Sequence, residues 1–219
     1  MGVSERSGGG DICQGETPVS LWEEERLCWN QGYSLVCGVD EAGAGPLAGA
    51  VYAGAVILPP ELELEGLNDS KKLTPKQRDI LYDLIREKAV AWAVAWADEK
   101  EIDKTDILSA RMLAMQRAID KLTPGADFVL VDGNRDHGKH AAITSPHRTL
   151  VRGDGRSASI AAASILAKVS RDRYMEDMAR QYPQYEFERH KGYPTKRHYA
   201  LLREHGPCPI HRRTFLSKL

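Results

Sequence analysis

With 219 residues, 42% of them hydrophobic, the chain is long enough to bury a full core and fits one domain with a small appendage. No apolar run approaches the ~20 residues of a membrane helix. Because no charged-then-apolar signal segment opens the sequence either, we expect a cytoplasmic protein.

The formal net charge of −1 hides two unequal halves. Residues 1–133 carry 13 Lys and Arg against 23 Asp and Glu, whereas residues 134–219 carry 17 against 8 and all seven His. An ordinary solvated surface mixes its signs, so a basic half favours a surface that meets a polyanion such as nucleic acid.

Residues 1–16 are rich in Gly and Ser without an apolar period, so we expect them to be disordered or partly non-native. A short helix is predicted over 18–31, with glutamates near its start. Apolar runs then predict strands over about 34–40 and 50–58. The four cysteines lack metal-ligand spacing, which favours buried or incidental thiols over disulfides or zinc.

The middle of the chain alternates helix and strand patterns. After a polar loop at 67–72, Thr74, Pro75 and Gln77 form a helix start signature. Residues 89–97 alternate Ala with larger apolar residues, which predicts a strand with one bulky face. Helical spacing of apolar residues predicts a single helix over 102–122.

The last part begins with a short apolar run at 128–132, typical of a strand covered on both faces. Another strand is expected to end near 150–151. A long helix is predicted over 157–181 and a final one over 195–205, stopped by Gly-Pro. Strands followed by alternating helices and strands predict an α/β fold with a mixed sheet flanked by helices.

Four carboxylates occur at the ends of three predicted strands. Asp40 and Glu41 end the first strand, Asp132 ends the strand at 128–132, and Asp154 follows the strand near 150. Each alone is typical of a solvated turn or a helix cap, and Asp154 can simply cap the following helix. Together they indicate a site, because ligands bind at the carboxyl ends of strands in α/β sheets.

Such a cluster calls for cations, since neighbouring carboxylates repel and raise one another's pKa. Hard oxygen ligands favour Mg²⁺ or Mn²⁺. Two such ions, ~3.5–4 Å apart, would activate a water and stabilise a leaving oxygen in phosphoryl transfer. An acidic site joined to a basic half therefore predicts a metal-dependent nuclease.

The glycine-rich turn after Asp40 and Glu41 resembles a nucleotide-binding loop only weakly. Its spacing is GxGxxxG rather than GxGxxG, and no Gly-Lys-Ser/Thr follows.

Six ordered blocks resemble ribonuclease HII, the bacterial type 2 ribonuclease H. They are GVDEAG-GPLAG at 38–49, NDSKKL at 68–73, VLVDG at 129–133, GDGRSASIAAASILAKVSRD at 153–172, HKGYPTKRH at 190–198 and IHRRTF at 210–215. The resemblance begins near residue 20 and implies an RNase H-like catalytic domain over 17–180. It also implies a C-terminal helical segment over 181–219 that helps to bind substrate.

The resemblance also implies an activity. A member of this family would hydrolyse RNA in RNA–DNA hybrids and cut 5′ of single ribonucleotides embedded in duplex DNA. The products would carry a 3′-hydroxyl and a 5′-phosphate, and two Mg²⁺ or Mn²⁺ ions would serve catalysis. We expect a monomer without a membrane partner. A sliding-clamp contact stays open, since residues 212–216 form either a packed end or a partner tail.

Site residues follow from the matched motifs. Asp40, Glu41, Asp132 and Asp154 match the four metal-binding carboxylates, and the rival Asp172 is interpreted as a structural ion-pair residue. Three further kinds of substrate contact are implied: backbone groups at Gly43, Ala44 and Gly45 for the ribose 2′-hydroxyl, Tyr193 for the adjacent sugar, and Lys71, Arg156, Ser157 and Lys191 for phosphates.

One position departs from the family. Its turn normally reads Gly-Arg-Gly, and this chain has Ala44 between Gly43 and Gly45. A lost hydrogen bond to a charged group is worth ~1.5–3 kcal/mol, so we predict a weakened enzyme with retained chemistry.

Two other functions stay open at this point. A non-catalytic protein that binds hybrids would suit the altered turn, but the intact carboxylates argue against it. A nuclease of the same fold acting on DNA alone is opposed by the NDSK and GYPT blocks.

Overall fold

The computed structural model describes residues 20–67 and 73–217 and centres on a five-stranded sheet. Its strands in chain order are β1 (Val36–Ala42), β2 (Val51–Ile57), β3 (Ala91–Ala97), β4 (Phe128–Asp132) and β5 (His147–Leu150). Across the sheet the order is β3-β2-β1-β4-β5. β2 is antiparallel to β1 and β3, whereas β4 is parallel to β1 and β5 is parallel to β4. The predicted mixed sheet is confirmed.

Helices cover both faces of this sheet. They are α1 (Glu23–Asn30), α2 (Pro75–Lys88), α3 (Glu99–Lys104), α4 (Ile107–Asp120), α5 (Ala158–Gln181), α6 (Phe187–His190) and α7 (Lys196–His205). The capping box of Thr74 and Gln77 at the start of α2 is confirmed. Ser157 is the N-cap of α5, and its hydroxyl accepts the Ile160 N–H.

The prediction of one helix over 102–122 is wrong, because α3 and α4 are separate. Thr105 leaves the helical conformation at φ −116° and ψ −102°. The Asp106 carboxylate then accepts the Ser109 N–H at 2.8 Å and so begins a new helix. An aspartate side chain that accepts a nearby backbone N–H competes with continuation of the preceding helix. The apolar spacing of 102–122 carries no signal of this break.

α5 lies against β1 and β2 at a distance that only glycine allows. A Cβ on Gly38 would lie 2.1 Å from the Ser159 carbonyl carbon, and one on Gly54 would lie 2.4 Å from the Ala163 carbonyl oxygen. The helix also has small buried residues there, Ala161, Ala162 and Ala163. Backbone therefore rests on backbone at the centre of the molecule.

The opposite face of the sheet packs on α4. The alanine face of β3 is buried with Met112 and Met115 of α4. The bulky face of β3 packs less completely, and Trp96 remains 49% exposed. The alanines of β3 thus face α4, whereas Trp92 and Val94 pack on the opposite face with residues of α2 and α5.

The C-terminal helices build a separate apolar cluster. Tyr185, Phe187, Leu201 and Leu202 pack there with Leu47, which precedes β2. A last turn, Arg213–Leu216, is held to α3, because the Asp103 carboxylate accepts both the Arg213 and the Thr214 N–H. Residues 212–216 thus pack against the rest of the chain, and a partner contact at this end stays a prediction. No helix in the described part of the chain is long and apolar enough to cross a membrane.

We expect Gly54→Ala to lower the free energy of unfolding by about 3 kcal/mol or more, because the new methyl group would overlap the α5 backbone. Gly125→Ala is the matched control, since a Cβ there meets no atom within 4 Å. Urea unfolding of both variants measures the difference. Equal stabilities would contradict the close contact of α5 with the sheet.

Candidate active site

The predicted carboxylates meet at one edge of the sheet. β1, β4 and β5 run in the same direction, so their carboxyl ends lie side by side. Asp40 and Glu41 lie near the end of β1, Asp132 is the last residue of β4, and Asp154 lies in the 3₁₀ turn Gly153–Gly155 after β5. Strand ends, and not sequence proximity, bring these four side chains into one region.

Asp40 is the most buried of them, with 9% of the residue exposed. Burial raises its pKa well above the usual value, and the charges of Glu41, Asp132 and Asp154 raise it further. The Glu41 N–H donates to Asp40 Oδ1 at 2.7 Å and opposes the shift. An ionised carboxylate here therefore needs a cation.

Glu41 has such a cation on one side. Arg111 of α4 donates to Glu41 Oε1 at 2.5 Å, while Glu41 Oε2 is buried without a hydrogen-bond partner among the described residues. Burial raises the Glu41 pKa, and the Arg111 charge lowers it in part. The unpartnered oxygen is a vacant acceptor that a second cation would satisfy.

The donor set fits a hard divalent cation, since all four side chains supply carboxylate oxygens. Asp132 Oδ1 accepts the Gly153 N–H at 2.7 Å, so the turn that carries Asp154 is tied to the end of β4. Within residues 20–67 and 73–217, however, no three His, Cys, Asp or Glu side chains are arranged so that they could hold a metal ion. Repulsion among like charges and the Arg111 ion pair oppose their convergence.

An open cavity of about 410 Å³ lies at these carboxylates. Its lining includes three of them, the glycine-rich turn and two cationic side chains, and consists of Asp40, Glu41, Ala42, Gly43, Ala44, Gly45, Arg78, Asp154, Ser164, Ile165, Lys168 and Tyr193. A larger cavity of about 780 Å³ lies beside residues 20–22 and 62–67. Glu63 and Glu65 are the ionisable residues of its described lining. The smaller cavity is therefore the one lined by both carboxylates and cationic side chains.

The turn between β1 and β2 is held from below by two buried arginines. Arg212 donates through Nη2 to the Gly43 carbonyl at 2.6 Å, through Nη1 to the Ala44 carbonyl at 2.9 Å and through Nε to the Gly49 carbonyl at 2.9 Å. Burial lowers the Arg212 pKa to about 9, so the side chain stays protonated at neutral pH. Three carbonyl dipoles stabilise its charge.

Arg171 of α5 completes this support. It donates to the carbonyls of Ala48 and Ala50 and to that of Lys191. A Cβ on Gly43, which has φ +95°, would lie 2.0 Å from Arg171 Nε. Gly43 is thus required by the fold, whereas a Cβ on Gly45 would meet nothing within 4 Å.

Tyr193 stands at the rim of the cavity with 40% of the residue exposed. The Arg171 guanidinium lies 5.6 Å from the centre of its ring. The preceding Gly192 packs on residue 48 and accepts the Leu47 N–H through its carbonyl at 2.8 Å. Turn and tyrosine are therefore parts of one packed unit.

Three buried histidines support the segment that carries Tyr193. His198 Nδ1 donates to the Tyr193 carbonyl at 3.0 Å, which leaves Nε2 as an acceptor. His211 Nδ1 accepts the Cys208 N–H at 3.0 Å, so its Nε2–H donates to His198 Nε2 at 3.0 Å. His190 Nδ1 accepts the Gly192 N–H at 3.2 Å. Backbone groups thus dictate the neutral tautomers.

The other predicted contacts have varied surroundings. Ser157 is fully buried and donates to Glu25, Arg156 pairs with Glu24, and Lys191 Nζ lies 2.8 Å from Glu176. Their contact with phosphate stays a prediction, and Lys71 lies outside the described residues. Asp172 pairs with Lys168 at 2.6 Å, as expected of a structural ion-pair residue.

Several residues of the site were missed from the sequence. Lys168 lies inside the block at 153–172, and its position one helical turn before Asp172 is a usable signal. Arg78 and Arg111 lie on α2 and α4, and the apolar spacing that predicted these helices carries no signal for either arginine. Arg171 and Arg212 were not predicted as parts of the site, because no local pattern indicates that a cation will be buried against carbonyl groups.

Comparison with known proteins gives one consistent result. The sequence profile described as ribonuclease HII matches residues 37–218. The chain is 58% identical over 181 residues to the ribonuclease HII of Dechloromonas aromatica (strain RCB), covering 83% of this chain and 90% of that one.

Solved structures agree on the fold. The ribonuclease H2 of Pyrococcus horikoshii OT3 superposes with a TM-score of 0.69 at 27% identity, over 83% of this chain and 93% of that one. The RNase HII solved in complex with PCNA from Archaeoglobus fulgidus gives a TM-score of 0.71 at 22% identity, over 84% and 95%.

The buried histidines predict a loss of stability in acid. Burial lowers the pKa of His198 and of His211 to about 4, below the value of 6.5 for an exposed histidine. The unfolded chain therefore binds more protons between these values, and stability falls as the pH falls. We expect the free energy of unfolding to fall by about 2 kcal/mol for each histidine between pH 7.5 and 5. Urea unfolding at the two pH values measures this loss.

His211→Gln should remove part of this pH dependence. The exposed His140 provides the control, since His140→Gln leaves the buried network intact. Equal pH dependence in the two variants would show that the buried histidines are not responsible.

The acidic cluster predicts that Asp40→Asn is more stable than the wild type at pH 8 without divalent ions. A carboxyl group whose pKa rises on folding destabilises the folded state above that pKa. Mg²⁺ or Mn²⁺ at about 100 times its Kd should stabilise the wild type by ~2.7 kcal/mol and the variant less. Thermal unfolding measures both effects. Asp83→Asn, at a 69% exposed side chain, is the control, and a destabilised Asp40→Asn would contradict the expectation.

Proposed function

The chain belongs to the ribonuclease HII family, and from this premise we propose that it cuts duplex DNA on the 5′ side of a single embedded ribonucleotide. Membership makes the protein a hydrolytic nuclease of the ribonuclease H class, which acts on RNA–DNA. The proposal that the substrate is duplex DNA with a single ribonucleotide is supported by the turn at 43–45, because this turn and carboxylates of the site line the same cavity.

In the proposed mechanism the carboxylates hold the metal ions. Asp40, Glu41, Asp132 and Asp154 would bind Mg²⁺ or Mn²⁺ through oxygen ligands, and the buried Glu41 Oε2 is an acceptor open to such an ion. When bound, two ions would activate the attacking water and stabilise the leaving 3′-oxygen. Water oxygen joins the phosphorus as the bond to the 3′-oxygen breaks, which leaves a 3′-hydroxyl and a 5′-phosphate.

The turn supplies the means of recognising ribose. In a planar trans peptide the N–H points opposite to the preceding carbonyl. Because the Gly43 and Ala44 carbonyls point to Arg212, the N–H groups of Ala44 and Gly45 point away from it. Neither donates to another described residue. These two donors would bind the 2′-hydroxyl, the group that distinguishes RNA from DNA.

Other side chains of the cavity would hold the rest of the substrate. Tyr193 offers an exposed ring to the adjacent sugar, and its packing with Arg171 fixes its position. Arg78 and Lys168 line the cavity beside the carboxylates and would contact phosphates. Lys191 would also contact phosphate, in exchange for its ion pair with Glu176. We further propose a cytoplasmic monomer; a sliding-clamp contact stays a prediction.

The test is cleavage of an end-labelled DNA duplex with one ribonucleotide, with Mg²⁺ and with Mn²⁺. One cut on the 5′ side of the ribonucleotide, and none in the all-DNA duplex, is expected. Cutting of both duplexes would instead favour a nuclease that acts on DNA. Binding without cutting would favour a non-catalytic protein.

Ala44→Arg is expected to strengthen binding of this substrate by ~10- to 100-fold, since a charged hydrogen bond is worth ~1.5–3 kcal/mol. Ala44 lines the cavity and is partly exposed, so a longer side chain can extend outward. The measurement is KM for the single-ribonucleotide duplex. Ala44→Gln adds length without charge and serves as the control. An unchanged KM in Ala44→Arg would show that alanine at this position does not weaken the enzyme.

A further inference from the structure

We infer that Arg212 is a positioning residue for ribose recognition, acting on the substrate through the backbone of the turn at 43–45. This inference rests on the proposed function, in which the N–H groups of Ala44 and Gly45 bind the 2′-hydroxyl. Arg212 would keep these two N–H groups pointing away from the protein interior.

The contacts of Arg212 carry the argument. Its side chain is fully buried and does not line the cavity, so it is not placed to touch the nucleic acid. Two of its nitrogens donate to the consecutive carbonyls of Gly43 and Ala44, and a third donates to that of Gly49. The planar guanidinium therefore fixes two successive peptide planes at once.

Apart from Arg212 and the packing of Gly43 on Arg171, little fixes the outer part of the turn. Gly45 is exposed, and a Cβ there would meet no atom within 4 Å. Glycine crosses between backbone conformations at low cost, so these peptide planes could rotate and turn their N–H groups inward. Arg212 prevents this, because rotation would leave a buried guanidinium without its acceptors.

The guanidinium is itself held in place. The Arg212 N–H donates to the Leu47 carbonyl at 2.9 Å, and the Phe215 ring centre lies 5.2 Å from the guanidinium carbon. Within the described residues it makes no ion pair with a carboxylate, so its side-chain partners are backbone carbonyls. The C-terminal segment thus contributes to specificity through a residue that the substrate does not reach.

Arg212→Lys tests the role. Lysine keeps the charge but cannot present three nitrogens in one plane. Fluorescence anisotropy without divalent ions would compare a duplex containing one ribonucleotide with the same duplex in all-DNA form. We expect the preference for the ribonucleotide to fall about 10-fold, as for one lost hydrogen bond, while binding of the all-DNA duplex is unchanged. Arg213→Lys, at an exposed neighbour, should keep the full preference.

If Arg212 had a purely structural role, Arg212→Lys would lower the melting temperature of the protein and weaken its binding to both duplexes equally. An unchanged preference in a folded Arg212→Lys would overturn the inference. If this variant does not fold, Phe215→Ala decides the question, since Phe215 is only partly buried and supports the guanidinium. A 2- to 3-fold loss of preference is then expected, and no loss would overturn the inference. A wild type without any preference would refute the proposed function instead.

Discussion

The contact between α5 and the sheet determines where every other part of the site lies. Gly38 lets the helix backbone rest on β1 near Ser159, so no side chain sets the spacing between them. From Ser159 to Arg171 the helix rises ~18 Å, and from Gly38 to Gly43 the strand rises ~17 Å. The two lengths match, and Arg171 therefore arrives beneath the first glycine of the turn. A longer spacing would leave this guanidinium without its carbonyl partners.

Charge is arranged in two layers around that contact. Three of the carboxylates line the cavity, where burial and mutual repulsion raise the pKa of Asp40. The guanidinium groups of Arg171 and Arg212 lie below, where carbonyl dipoles stabilise them. Elsewhere part of the positive charge of the basic half is neutralised within the protein, since Arg148 and Arg156 both pair with the buried Glu24 of the acidic half. The number of Lys and Arg residues in the basic half is therefore larger than the number of unpaired cationic side chains that it offers to nucleic acid.

Sequence patterns predicted the parts of the fold that depend on local order. Apolar runs located the strands, and the sheet then brought Asp40 to the same edge as Asp132, as their places at strand ends indicated. The break at Thr105 was missed because apolar spacing continues across it. The burial of Arg212 could not be predicted, because its acceptors lie more than 160 residues earlier in the chain. Local propensity carries no information about such a pair.

The support of the turn by backbone carbonyls has an evolutionary consequence. A carbonyl is present whatever the side chain, so the residue at position 44 can change without removing a contact to Arg212. The scaffold and the substrate-facing side chain are thereby separated within a single residue. Substitution at this position can therefore change the side chain that lines the cavity while the hydrogen bond to Arg212 persists. Alanine at 44 keeps this carbonyl contact, and the same freedom would let selection or design change the side chain there.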